Sequence, residues 1–376
     1  MSKIKLLIAP NSFKECADAI EIATEIKEHF GEEDYEIKSI PISDGGDGFL
    51  KICEKIFPLK IETKETNSFY DGRIFQIPIG ISSDLKKMYI ESAEVIGMKK
   101  VPTALRNPLT LHSNNFGNLL LKLEDEYLEV SKIIIGLGGT ATNDLGLGLC
   151  VPFGLKLFDS QGNELPVEPK YFVEVDSITL PAKQFSIPLE VVTDVKVPLY
   201  GQTGTSKTFA KQKGATEIEI GILEKGVLNI ISILNNKHGL DYSTKLYGAG
   251  GGLLLGLSLI SNPLVYFAED FLLNQLKIEE ELLKSDFIIT GEGIYDEQSM
   301  MNKGTGIIVQ LAQKHKKKLF LICGSLKPSD AFLNNEEIRV FSLEEYFRTR
   351  RDSLKNYKMG IEKACGEIKS YILSHS

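Results

Sequence analysis

Apolar and polar positions follow two rhythms along this chain, and the first rhythm returns near the end. Ile4-Lys5-Leu6-Leu7-Ile8-Ala9 is a nearly continuous apolar run that predicts a buried strand over 3–9. Ala19, Ile20, Ile22, Ala23 and Ile26 then recur at helical spacing. A second strand is predicted over 36–40, and the turn Ser43-Asp44-Gly45-Gly46-Asp47-Gly48 precedes a helix at roughly 48–56. This β-α-β-α order implies a parallel sheet with right-handed crossovers. From about 60 to 92 the pattern shifts to short alternating strands, with a hairpin signal at Tyr70-Asp71-Gly72-Arg73. A helical stretch over 113–125 leads into an apolar strand over 131–135, residues 154–193 are β-like, and 217–234 is a long amphipathic helix. The opening rhythm then resumes: strand 285–290, helix 304–314, strand 319–323, a short helix near 330–335, strand 340–342 and a C-terminal helix. The expected architecture is α/β with two domains. A Rossmann- or flavodoxin-like parallel-sheet domain is built from both chain ends, 1–60 and 281–376, and a mixed α/β domain, 61–280, is inserted into it. Ligands of such folds bind at strand C-termini and domain interfaces, so the site is expected in the cleft between the two.

The stretch that organises this reading is Ile135-Gly136-Leu137-Gly138-Gly139-Thr140-Ala141-Thr142-Asn143-Asp144-Leu145-Gly146-Leu147-Gly148. It follows a predicted strand and is expected to open a helix, with Thr142 or Asn143 as N-cap. A strand, a glycine turn and a helix N-terminus together gather backbone N–H groups around an anion, and the helix dipole adds to the attraction. Thr140, Thr142 and Asn143 contribute side-chain donors. The stretch is therefore expected to hold a phosphate or carboxylate; the competing explanation is a glycine turn kept for close packing of strand on helix.

Composition narrows the classes. With 376 residues, 43% hydrophobic and 25% charged, the chain is long enough for two cores. A net charge of −8 argues against non-specific binding to nucleic acid or anionic membranes. The runs Lys314-His315-Lys316-Lys317-Lys318 and Arg348-Thr349-Arg350-Arg351 read as a helix C-terminus and a solvated helix face. Five scattered cysteines form no C-x-x-C pair, and the five histidines are isolated, which fits thiols in a reducing cytosol and disfavours structural zinc. No apolar run approaches the ~18 residues of a membrane helix and no signal peptide is visible, so a cytoplasmic location is expected.

Polar residues cluster at predicted strand ends: Ser12 and Lys14, Asp44 and Asp47, Asp194, and Glu292 with Asp296, Gln298 and Lys303 just beyond. Phosphoryl transfer needs a phosphate cradle, carboxylates for a divalent metal, and a cation near the transferred group. The loop over 138–143 suits the first. Some of Asp44, Asp194, Glu292 and Asp296 suit the second, and Lys14, Lys213 or Lys303 the third. Neither G-x-x-x-x-G-K-[ST] nor a full G-x-G-x-x-G occurs; Gly204-Thr205-Ser206-Lys207-Thr208 imitates only the end of the former.

Taken in order, Asn11-Ser12-Phe13-Lys14, Asp44-Gly45-Gly46-Asp47-Gly48, Arg106-Asn107-Pro108, the 136–144 loop, Thr193-Asp194-Val195, Gln212-Lys213-Gly214-Ala215, Gly248-Ala249-Gly250-Gly251-Gly252 and Thr290-Gly291-Glu292-Gly293 span nearly the whole chain. This ordered set resembles the bacterial glycerate kinases of the type without a P-loop. The resemblance implies ATP- and Mg²⁺-dependent phosphorylation of D-glycerate to 2- or 3-phosphoglycerate. It implies Asp194 as the base that takes the hydroxyl proton, with Lys14 beside it in the catalytic set. Ser12, Arg106 and Asn143 are then substrate contacts; for Arg106 an ion pair between the domains is the competing assignment. Gly138, Gly139, Thr140, Thr142, Lys213, Glu292 and Lys303 are nucleotide or phosphate contacts, and Asp44 and Asp296 metal ligands. Partners are the small molecules ATP and D-glycerate or a related hydroxy acid, with no nucleic acid and no membrane, for a monomer or homodimer. The chain departs from the family pattern at Asn11, Glu15, Cys16, Ile294 and Val197, and from Arg348 onward. Those departures motivate two alternatives: a kinase of the same fold for another small hydroxy acid, or a non-catalytic homologue that binds nucleotide or hydroxy acid.

Overall fold

The computed structural model describes residues 3–13, 16–42, 46, 48–193, 195–242, 245–296, 299, 304–327 and 336–375. The chain divides into two compact units, Met1–Asp44 with Ala268–Ser376, and Gly45–Phe267.

In the first unit five strands form a wholly parallel sheet in the order Ile338–Ser342, Lys318–Leu326, Phe287–Tyr295, Ile4–Pro10, Tyr35–Ser39. The central strands are buried on both faces, which is why their sequences read as apolar runs rather than alternations. Strand order reverses between Ile4–Pro10 and Phe287–Tyr295, one from each end of the chain, as expected of a flavodoxin-like sheet. The helix Ala19–Glu28 begins with a capping box, in which the Asp18 carboxylate accepts from the Glu21 amide and Glu21 reaches back to the Asp18 amide. It packs with the C-terminal helix Tyr357–His375 on one face, around Ile22, Ile26, Ile361 and Ile368. The short helix expected near 330–335 lies outside the described residues.

The second unit carries a mixed six-stranded sheet, ordered Leu264–Phe267, Leu189–Thr193, Lys132–Gly136, Lys87–Glu91, Ile74–Ser82, Leu59–Asn67. The first four are parallel, and the last two join antiparallel as the hairpin signal predicted. A small antiparallel sheet, Glu164–Leu165, Lys156–Phe158 and Ser177–Thr179, accounts for part of the β-like stretch. The helix Phe49–Ile56 is anchored here: the buried Glu91 carboxylate accepts from the amides of Gly48 and Leu50 at 2.8 and 3.1 Å. The long helix Glu217–His238 starts at a Thr216–Glu219 capping box and stops at Gly239. Among the described residues no helix is long and apolar enough to cross a membrane. Cys53, Cys150, Cys323 and Cys365 are buried thiols. Within the 314–318 run, Lys314 and His315 meet Glu279 at 2.8 and 2.6 Å.

Candidate active site

The loop that follows Lys132–Gly136 is fixed at every turn. The Leu137 amide donates to Val192 O at 2.8 Å, and the Gly138 amide to Ser92 Oγ at 3.3 Å. Gly139 O accepts from the Met98 amide at 2.9 Å, and the Ala141 amide donates to Ile96 O at 2.8 Å. The expected helix start is corrected here. Neither Thr142 nor Asn143 is an N-cap. The helix covers only Leu147–Cys150, behind Gly146 in a left-handed conformation and with no side-chain cap. Of the amides in this stretch, those of Gly146 and Gly148 are taken by the protein's own anion. Asp144, fully buried, accepts from the amides of Gly146 and Gly148 at 3.3 and 3.1 Å and from the Ser113 amide and hydroxyl at 2.7 Å each. A carboxylate with that many charge-assisted donors is an internal brace, not a ligand position.

What the loop presents instead is a buried cation. Lys213 is 3% exposed, and its ammonium donates to Thr142 O at 2.6 Å and to Thr140 Oγ1 at 3.3 Å. Burial pushes its pKa down to about 7, against a smaller upward pull from the Asp144 carboxylate. Beside it the Asn143 amide nitrogen donates to Ser206 Oγ at 3.1 Å, while Asn143 Oδ1 and Thr142 Oγ1 are buried without a protein partner. Such atoms are rare in folded proteins and mark strain or a place for a ligand. The turn carrying Lys213 is set against Arg106: a Cβ on Gly214 (φ +101°) would stand 2.6 Å from Arg106 O. Arg106 Nε donates to Val101 O at 3.2 Å.

The run Gly250-Gly251-Gly252 packs against the back of this loop. All three residues are left-handed, with φ of 62°, 72° and 84°. A Cβ at Gly251 would lie 2.0 Å from Thr142 O, so only glycine fits. Its carbonyl accepts the Leu145 amide at 3.0 Å, which helps hold Leu145 at φ +58°, a value costly for leucine. Thr205 Oγ1 donates to Gly248 O at 2.7 Å and completes the brace.

Gly138, Gly139, Thr140, Thr142, Asn143 and Lys213 are thus brought together, with Arg106 against the turn of Lys213. In the first unit Ser12 follows the strand Ile4–Pro10, its amide capped by Asn11 Oδ1 at 2.7 Å. Glu292 lies on Phe287–Tyr295, and the Asp296 carboxylate just after it accepts from the Ser299 amide at 3.2 Å. Thr290 Oγ1 donates to Ala9 O at 2.7 Å, which ties the two central strand ends together, and Thr305 Oγ1 donates to Gly291 O at 3.1 Å, which ties the helix Gly304–Lys314 to them. Lys14, Asp44, Asp194 and Lys303 lie outside the described residues. Sequence reasoning missed Asp144, Ser113 and Ser206. Ser206 sat in the false P-loop ending and Asp144 in the glycine stretch, but their partners are distant in sequence and left no spacing to read.

Fold and loop together define a two-domain α/β protein that grips its glycine loop with a buried lysine and lacks a P-loop. A family model described as the glycerate kinase family matches residues 6–373. The chain belongs to the glycerate kinase family. It is 29% identical over 373 residues to the glycerate kinase of Neisseria meningitidis serogroup B, covering 97% of this chain and 98% of that one. It is 30% identical over 368 residues to the glycerate 2-kinase of Escherichia coli K12, covering 93% and 95%. A crystal structure of a Salmonella typhimurium LT2 protein described as glycerate kinase 2 superposes with a TM-score of 0.77 at 28% identity, over 100% of this chain and 99% of that one.

Proposed function

We propose that this chain transfers the terminal phosphoryl group of ATP to a hydroxyl of D-glycerate, releasing ADP and 2- or 3-phosphoglycerate. The observation that carries this reading is the buried Lys213 ammonium on the 138–143 loop. Of its three N–H donors two are spent on Thr142 O and Thr140 Oγ1, and the third is assigned to a phosphate oxygen. The unpartnered Thr142 Oγ1 and Asn143 Oδ1 beside it supply further polar contacts, Asn143 to a substrate hydroxyl. Gly138 and Gly139 are assigned to the nucleotide, with Glu292 and Lys303. Ser12 and Arg106 hold the acid, Arg106 by a fork suited to a carboxylate. Asp194 takes the proton of the attacking hydroxyl, and Lys14 neutralises charge on the transferred group.

Asp44 and Asp296 are the carboxylates assigned to Mg²⁺; hard oxygen donors of this kind fit that cation. When bound, it supplies charge neutralisation on the phosphates. The reading is tested by a coupled ADP assay with the product identified by NMR. Turnover must require both D-glycerate and Mg²⁺; its absence, or preference for another acid in a hydroxy-acid panel, rejects the assignment.

A further inference from the structure

The hairpin joining Leu59–Asn67 to Ile74–Ser82 does more than close a sheet edge. With Lys100, from the turn Met98–Lys100, it lines an open cavity of about 290 Å³, close to the lower end of small-molecule sites at ~300 Å³. Its walls include the rings of Tyr70 and Phe75, the cations Arg73 and Lys100, and Ser68. The rim is internally bonded, with the Ser68 amide to Arg73 O at 2.7 Å and the Gly72 amide to Ser68 O at 3.0 Å. The Asp71 carboxylate, the acid of the rim, accepts the Arg73 amide at 3.2 Å. The Arg73 side chain is 86% exposed and 3.6 Å from that carboxylate. Lys100 stands 5.8 Å from the Phe75 ring centroid and pairs with Glu94 at 2.6 Å.

The cavity's place in the sheet matters as much as its lining. Ile74–Ser82 runs antiparallel to Lys87–Glu91, in a register that carries the hairpin tip past Glu91. Glu91 pairs with Gly136, so the tip projects from the edge where the 138–143 loop departs. Met98, whose amide bonds Gly139 O, is two residues from Lys100, at most roughly 8 Å along the chain. Cavity wall and glycine loop are joined through this Met98–Gly139 hydrogen bond.

We propose that this cavity receives the base and sugar of a nucleoside triphosphate, whose phosphates run past Lys100 to the glycine loop. The inference rests on the phosphoryl-transfer reading for its choice of ligand. Two aromatic rings suit a flat base, which stacks without regard to sequence of polar atoms. Arg73 and Lys100 suit its anionic tail. A three-carbon acid is too small to use such a space.

The test is calorimetric titration of the full chain with ADP, alongside the glycerate assay. Tyr70→Ala is expected to weaken ADP binding by roughly tenfold, and Arg73→Glu by about threefold or more, with the KM for glycerate unchanged. Arg73 is exposed, so its variant folds even if Tyr70→Ala does not. Wild-type affinity in folded variants overturns the inference while leaving the kinase reading intact, and so does an affinity lost only for glycerate. ADP binding that falls in the variants of a chain inert toward glycerate supports the cavity and rejects the substrate. A wild-type chain that binds no ADP overturns it outright.

Discussion

Two glycine-rich stretches of the second unit look alike on paper and do different work. The 136–148 stretch has glycines that hug neighbouring groups: a Cβ on Gly136 would lie 2.4 Å from the Phe49 ring, and one on Gly148 2.7 Å from the Asp144 carboxylate. Between them, at 138–143, it offers Thr140 Oγ1 and Thr142 O to Lys213 and the Asn143 side-chain amide to Ser206. The 248–252 run carries no polar side chains at all and is left-handed at three successive positions so that it can lie flat on the first. Glycine content therefore marks close approach of backbones in both. What distinguishes the chemical stretch is the Thr and Asn side chains at its crest and the lysine brought to it from elsewhere.

The largest effect that sharpens this contrast is on chemistry. Asp194→Asn is expected to lower kcat by about 10²-fold or more with the melting temperature unchanged; full activity in the coupled assay would remove Asp194 from the base role. Next is the supporting run. Gly251→Ala places a methyl 2.0 Å from Thr142 O at φ +72°, and is expected to cost about 3 kcal/mol or more in denaturant unfolding. If that variant is as stable as the parent, the packing account of the run is wrong.

The lysine gives a pH signature. Its folded pKa, about 7, lies below the ordinary 10.5, so the unfolded chain binds more protons between those values. Its contribution to stability is full above the unfolded value and is lost as pH falls toward 7. Lys213→Met should flatten the rise in stability across that window, as read by unfolding at several pH values. A bound phosphate favours the ammonium, so nucleotide binding near pH 8 should take up a proton. Calorimetry in buffers of different ionisation enthalpy detects that uptake, which Lys213→Met should abolish. The smallest change is Ser206→Ala, which removes the acceptor of the Asn143 amide and should cost about 1 kcal/mol.

Much of the fold was legible because apolar periodicity survives in the folded state. The parallel strands of the first unit are buried runs such as Leu6–Ala9, and the Asp71-Gly72 turn forms the hairpin it signals, with Gly72 at φ +72°. The helix over 304–314 appears at those bounds as Gly304–Lys314. The glycine loop was legible as a place but not as a geometry. Thr142 and Asn143 sit before an apolar run, the local pattern of a cap, yet the amides beyond them answer to Asp144. Ser113, thirty-one residues earlier, completes that arrangement. Glu91 bonding Gly48 and Leu50 has the same character, a contact across more than forty residues that no short window contains. Lys213 was singled out as a candidate cation, but its burial under Thr142 O depends on how the 213–214 turn meets Arg106, a tertiary fact.

The strand Ile4–Pro10 has Tyr35–Ser39 on one side and Phe287–Tyr295 on the other. During synthesis the first of these neighbours emerges almost at once, whereas the second is some 280 residues away and follows the entire inserted unit. Every ladder of the six-stranded sheet, by contrast, is complete once Phe267 has left the ribosome. The strand Ile4–Pro10 is thus made long before it is enclosed, and a chain stalled after the insertion would hold an apolar strand edge open to any passing partner.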